Sequence, residues 1–205
     1  MTCSRATASI RGVFQVRFHG RGGQGVVTAA EILSIAAFVE GRHAQAFPSF
    51  GSERTGAPVL AFCRIDEHEI RAREPISRPD AIVIQDPTLV HQVDVFGGLG
   101  PDAYVLINST RTIEELGLGD LMERYRPERL LTVPATDLAL KHLGRPIPNA
   151  ALLGGLAALT DLVSLESVSA AIRQKLPGRT GEANVGAAEE AFRAVRDRMA
   201  ELAHA

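Results

Sequence analysis

The chain has 205 residues, with 22 Lys and Arg against 24 Asp and Glu, a net charge of -2 and 45% hydrophobic residues, which bounds it to one ordinary globular domain. No basic run or stripe offers a nucleic-acid surface, and the longest uncharged stretch, residues 146–160, is too short and too broken by two prolines and two glycines to span a membrane. Cys3 and Cys63 stand far apart without a CxxC spacing, so they supply neither an iron–sulfur cluster nor a zinc site, and they read as free thiols of a reducing, cytoplasmic setting; the polar start, with Arg5 and Arg11, has no apolar signal core.

Phe14, Val16 and Phe18 alternate with Gln15 and Arg17, the pattern of a strand that is half exposed or near a partner. Residues 20–25 follow as Gly-Arg-Gly-Gly-Gln-Gly. Residues 26–39 then carry one charge, Glu31, among alanines and branched apolar residues, predicting a helix buried on several faces and stopped at Gly41. Residues 43–47 predict a short strand, residues 48–58 a structured loop with two glycines and two prolines, and residues 59–65 a third strand. Short apolar runs at 81–84, 104–107 and 130–133 predict strands covered on both faces, the first ending in Gln85-Asp86-Pro87 with a helix start, the last leading into a helix over 135–143. Strands alternating with helices give an α/β fold, Rossmann-like and doubly wound around a mainly parallel sheet. A helical C-terminal portion, about residues 149–205, follows, with helices over 149–162, 165–176 and 182–202. In the last, Val185, Ala188, Phe192, Val195, Met199 and Leu202 form one apolar stripe, expected to pack on its own domain. One domain is expected over residues 1–205.

Gly20, Gly22 and Gly25 satisfy G-x-G-x-x-G, with Gly23 as an extra glycine. Between a strand and a helix, such a loop lets backbone approach a phosphate while the amides opening the helix point at the anion. A tight turn that binds nothing remains the other reading. Val26 and Val27 stand where a Walker loop needs Lys and Ser or Thr. The second strand ends in Ala46-Phe47-Pro48, without the acid that holds the ribose of NAD, whereas Arg21, Arg42 and Arg54 lie nearby. That set suits a ligand with additional phosphate, NADP or coenzyme A. The six histidines show no metal-ligand spacing and no nucleophile elbow exists, so no catalytic residue and no metal ligand is assigned. Asp86 reads as a base or a helix start; His19 as a phosphate donor or a strand cap.

The run Gly20 to Ala30, then Gln45-Ala46-Phe47-Pro48 with Phe50-Gly51-Ser52-Glu53-Arg54-Thr55-Gly56-Ala57-Pro58-Val59, resembles the gamma subunit of the pyruvate:ferredoxin (2-oxoacid:acceptor) oxidoreductases. Asp86-Pro87, Asn108-Ser109, Val133-Pro134-Ala135-Thr136, Gly144-Arg145-Pro146-Ile147-Pro148-Asn149 and Leu152-Leu153-Gly154 continue the match in order. The resemblance implies a Rossmann-like subunit that contributes the coenzyme A-binding region of a complex. Thiamine diphosphate with Mg and the iron–sulfur clusters then belong to alpha, beta and delta-type partners, and ferredoxin takes the electrons. The isolated chain would be inactive. By the same resemblance Gly20, Arg21, Gly22, Gly23, Gln24 and Gly25 line the coenzyme A site, and Gln45, Pro48 and Arg54 belong to the adjacent loop. An autonomous NADP-binding oxidoreductase and a non-binding scaffold subunit are the alternatives. The choice of 2-oxoacid is not encoded here, because the substrate pocket lies largely on other chains.

Overall fold

The computed structural model describes residues 12–49 and 56–204. Six strands form one sheet in the order β2-β3-β1-β4-β5-β6: β1 (Phe14–Arg21), β2 (His43–Pro48), β3 (Pro58–Asp66), β4 (Ala81–Ile84), β5 (Tyr104–Asn108) and β6 (Leu130–Val133). β1, β4, β5 and β6 are parallel neighbours, and β3 alone runs the other way, antiparallel to both β1 and β2. The mainly parallel α/β architecture is therefore present, with a reversed strand lodged beside β1.

That reversal changes the meaning of the second strand. In a dinucleotide fold the strand after the first helix lies beside β1 and brings its tip to the ribose. Here β2 is the outer edge, and the neighbour of β1 is β3, whose start at Pro58 faces Arg21.

The helices are α1 (Val26–Val39), a short α2 (Gly119–Arg124), α3 (Ala135–Leu143), α4 (Asn149–Thr160), α5 (Leu165–Lys175) and α6 (Arg179–Ala203). One sheet face, with Val16, Phe18, Ala61, Val83, Leu106 and Val133, is covered by α1 and by α3 to α6. The other, with Ile82, Ile84, Val105 and Ile107, is covered by α2 and the irregular chain around Leu89, Val95, Ile113 and Leu116. Every residue of α4 from Asn149 to Leu159 is buried, and the α6 stripe packs inward as expected, with Val185, Ala188 and Val195 fully enclosed.

β1 departs from its expected partial exposure. It is a central strand, and Arg17 and His19 are buried on the face away from α1. Arg17 Nε donates to His19 Nε2 at 2.9 Å, and its Nη2 donates to the carbonyls of Val95 (3.0 Å) and Gly97 (2.7 Å). The loop over this face thus supplies the acceptors that an alternating polar strand would otherwise find in water. Burial, followed by the neighbouring Arg17 charge, pushes the His19 imidazole down to about 3, so it stays neutral.

Candidate functional site

The loop after β1 sits at the carboxyl edge of the sheet, where the chain turns into α1. β1 is followed by a helix on one face, whereas the chain after β4 turns to the other face. The crevice between these two strands is the switch point at which open α/β sheets bind ligands.

Four contacts fix the loop from below. Gly22 N–H donates to the Ala57 carbonyl at 2.9 Å, and Gly56 N–H donates to the Gly22 carbonyl at 3.1 Å. Gln24 Oε1 accepts from the Arg21 amide at 2.8 Å, and Gln24 Nε2 donates to Asp86 Oδ2 at 3.2 Å. Two glycines are required by geometry. Gly25, the residue preceding α1, has φ +72°, and a Cβ there would stand 2.4 Å from Asn149 Nδ2. A Cβ on Gly20 would stand 2.6 Å from Val26 Cγ2.

Arg21 points away from the helix opening. Its Nε donates to Asp86 Oδ2 at 2.9 Å, its Nη1 to the Gly56 carbonyl at 3.0 Å, and its Nη2 to Thr88 Oγ1 (2.8 Å) and Gln92 Oε1 (2.7 Å). The guanidinium is a clamp between the loop and the segment after β4. Asp86 is the cap of a 3-10 turn, Pro87–His91, which accounts for its place after the strand. Burial opposes its charge, yet the hydrogen bonds from the Thr88 hydroxyl and amide, then from Gln24 and Arg21, outweigh burial and hold its carboxyl below the usual range.

The remaining expected positions scatter. Gln45 pairs with Arg64, which pairs with Gln15, so Gln45 lies at the amino end of the sheet. It is five residues, about 16 Å, below the level of Gly20. Its proximity to the loop in sequence does not survive a strand that rises away from it. Pro48 closes β2 at the level of Phe18, two strands from β1. Arg42 is buried at the opposite end of α1, where it holds Glu40 at 2.7 Å and the Leu162 carbonyl, so it is no phosphate ligand. His19 faces Arg17 beneath the loop and does not reach it from the front. Arg54 lies outside the described residues.

Sequence reasoning missed what stands over the loop. A cavity of about 550 Å³ opens above Gly23, Gln24 and Gly25 and is closed by the chain between α3 and α4 and by the start of α6. Arg145, Asn149, Arg179, Thr180 and Asn184 line it, and among the described residues no Asp or Glu does. Three helices open toward it: α1 at Val26, α4 at Asn149 and α6 at Arg179. The residues preceding them, Gly25, Pro148 and Gly178, provide no side-chain cap. Their first-turn amides lack intrahelical partners, and each helix contributes about half a positive charge at that end. Arg145 was legible only as part of the Gly144–Asn149 motif, and the uncapped starts at Pro148 and Gly178 were the available signal for the rest.

Amide side chains tie the loop to this cavity. Asn149 Nδ2 donates to the Gly25 carbonyl at 2.9 Å, Gln85 Nε2 donates to Asn149 Oδ1 at 3.3 Å, and Asn108 Nδ2 donates to the Gln85 carbonyl (2.8 Å) and to Thr136 Oγ1 (2.7 Å). The carboxyl ends of β1, β4 and β5 and the starts of α3 and α4 are thereby held as one rigid edge.

The Pyruvate ferredoxin/flavodoxin oxidoreductase family model matches residues 15–194, nearly the whole described chain. The chain belongs to this family. Its relatives there include the pyruvate/ketoisovalerate oxidoreductases common subunit gamma of Pyrococcus abyssi, 51% identical over 88% of this chain and 96% of the relative. Pyruvate synthase subunit PorC of Methanothermobacter marburgensis is 46% identical over the same shares. Among solved structures, pyruvate oxidoreductase subunit PORC of Thermotoga maritima superposes with a TM-score of 0.73 at 34% identity, covering 88% of this chain and 96% of that one. A family member of this kind is a gamma-type subunit of a multi-subunit pyruvate or 2-oxoacid:ferredoxin oxidoreductase, which implies partner subunits. No helix among the described residues is long and apolar enough to cross a membrane.

Proposed function

We propose that the chain supplies the coenzyme A-binding region of a cytoplasmic 2-oxoacid oxidoreductase complex. In the overall reaction the 2-oxoacid loses its carboxylate as CO2, the acyl carbon gains a bond to the coenzyme A sulfur as the thiol proton is released, and two electrons pass to ferredoxin. The observation that carries this reading is the cavity above the glycine loop, without an acid among its described lining residues, into which three uncapped helices and two arginines direct positive potential. A polyanionic nucleotide tail matches that field.

The described residues offer no ligand set for an iron–sulfur cluster or a metal ion. A cluster needs several thiolates, and the cysteine among the described residues, Cys63, is buried in β3, where burial pushes its thiol up. No set of three His, Cys, Asp or Glu that could hold a metal ion occurs among the described residues. As the family resemblance implies, thiamine diphosphate with its Mg and the iron–sulfur clusters belong to alpha, beta and delta-type partners. This chain's own task is to bind and orient coenzyme A.

Two assays test the reading. The full chain, supplied with 2-oxoacid, thiamine diphosphate and a dye acceptor, is expected to show no turnover, and addition of the partner subunits is expected to restore coenzyme A-dependent oxidation. Fluorescence titration is expected to show no micromolar binding of NADPH. Turnover by the chain alone, or tight NADPH binding, would replace the proposal with an autonomous oxidoreductase.

A further inference from the structure

β2 ends the sheet with its hydrogen-bonding groups open. Ser49 N–H donates to the Leu60 carbonyl at 2.9 Å, and these residues stand directly opposite in the continued β2–β3 register. Hydrogen-bonded pairs alternate along an antiparallel ladder, so His43, Gln45 and Phe47 are the residues of β2 bonded to β3. The amides and carbonyls of Ala44 and Ala46 therefore point away from the sheet. None of these groups has a hydrogen-bond partner among the described residues.

Sheet edges are commonly blunted by charged side chains, by brevity or by a covering segment. The opposite edge, β6, is only four residues long. β2 is six residues long and carries no Asp, Glu, Lys or Arg, and its proline stands at its last position. At the end of α1 that leads into β2, Phe38 is 75% and Val39 49% exposed, so uncovered apolar surface adjoins the start of the strand.

A second observation concerns Gln45. Ala44 and Ala46 pack toward α1, so Gln45 between them lies on the other sheet face. Its Oε1 is buried and has no hydrogen-bond donor among the described residues. An amide oxygen left in that state is costly.

We propose that β2 is the docking strand for a second copy of this chain, paired antiparallel across a two-fold axis at Gln45. A two-fold axis makes such an edge its own complement. With Gln45 facing its equivalent, each Ala44 meets Ala46 of the other copy as a hydrogen-bonded pair, and the open amides of both copies donate across the seam. The two Gln45 residues form the intervening pair, whose side chains approach most closely. Turned toward each other, each amide gives the other the donor that its Oε1 lacks. A register one residue further on would set Gln45 opposite Phe47 and leave that oxygen unsatisfied, so Gln45 selects the pairing. The uncharged strand brings no like charges together. The inference is independent of the coenzyme A reading, because β2 lines no part of the cavity above the glycine loop.

Sedimentation velocity of the full chain across the micromolar range tests the assignment. The wild type is expected to pass from monomer to dimer as concentration rises. Ala46→Pro removes an outward amide and leaves the bonds between β2 and β3 in place. It is expected to raise the dissociation constant of the dimer by about tenfold or more, the worth of one hydrogen bond lost from each copy. Ala44→Pro removes the other outward amide and is expected to act in the same sense, and an unchanged far-UV spectrum checks the fold of both. Cross-linking reads the register. In a Cys3→Ser background, with Cys63 buried, Gln45→Cys is expected to give a disulfide-linked dimer under mild oxidation, because facing residues of such a pair lie within disulfide reach. Phe47→Cys, which faces His43 of the other copy, is expected to give none. A wild type that stays monomeric would assign the edge to a different chain and overturn the proposal. A dimer that neither proline variant weakens, or cross-linking no better at position 45 than at 47, would overturn it as well.

Discussion

The side-chain amide of Asn149 donates to the main-chain carbonyl of Gly25 at 2.9 Å, joining the glycine loop to the start of α4 across 124 residues of chain. The same side chain receives Gln85 Nε2, so Asn149→Ala strands a buried amide at the end of β4. Loss of about 1–3 kcal/mol of stability is expected, read as a lower urea midpoint at unchanged slope. A wild-type midpoint would show that the link contributes nothing.

Gly25→Ala combines two penalties that can be separated. The left-handed φ of +72° is unfavourable for any side chain, by about 1–2 kcal/mol, and the new Cβ would meet Asn149 Nδ2. The substitution is therefore expected to cost more in the wild type than in an Asn149→Ala background. A double-mutant cycle measures the difference, and equal costs in the two backgrounds would place all of the strain in the backbone.

Gly154 marks a close approach of α4 and α6: a Cβ there would stand 2.0 Å from the Ala188 carbonyl oxygen. Gly154→Ala is expected to push the helices apart and cost about 1–3 kcal/mol or more. Gly23→Ala, where open space surrounds the position and φ is +93°, is expected to cost only the backbone strain. Thermal unfolding of the two variants gives the ranking.

His19 provides a pH test of the buried β1 pair. Its folded pKa, about 3, lies below the unfolded value of about 6.5. The unfolded chain thus binds the extra proton between those values. The contribution of His19 is fully present above pH 6.5 and declines as pH falls toward 3. The slope in that window is up to about 1.4 kcal/mol per pH unit. His19→Gln is expected to flatten the pH profile of unfolding free energy between pH 6.5 and 3 relative to wild type. Parallel profiles would mean that the imidazole takes up its proton inside the fold.

Much of the architecture was legible because it rests on local pattern. Ala81–Ile84, Leu130–Val133 and Ala135–Leu143 emerge with the expected bounds, since short apolar runs end at Gln85, Pro134 and Gly144. Strand order was not legible. Nothing in residues 58–66 announces that they lie antiparallel beside β1, because pairing partners are chosen by the closing of the whole sheet. Arg17 misled for a related reason: an alternating polar pattern normally signals water, and its acceptors come from Val95 and Gly97 on a distant loop. At the site, Gly20 to Gly25 were found from their own composition. Arg145 and Arg179 reach the cavity only through the packing of α4 and α6, which no local pattern encodes.

The reversed β3 also sets the direction in which a ligand can lie. Beside β1, the edge is taken up by the beginning of a strand, stitched to the loop through Ala57 and Gly56, so a nucleotide cannot lay its sugar along the sheet as it does on a dinucleotide fold. The free path from the glycine loop leads off the sheet, over Asn149 and along the helical half. The tail of the chain is thereby turned from a covering layer into one wall of the cavity above the glycine loop.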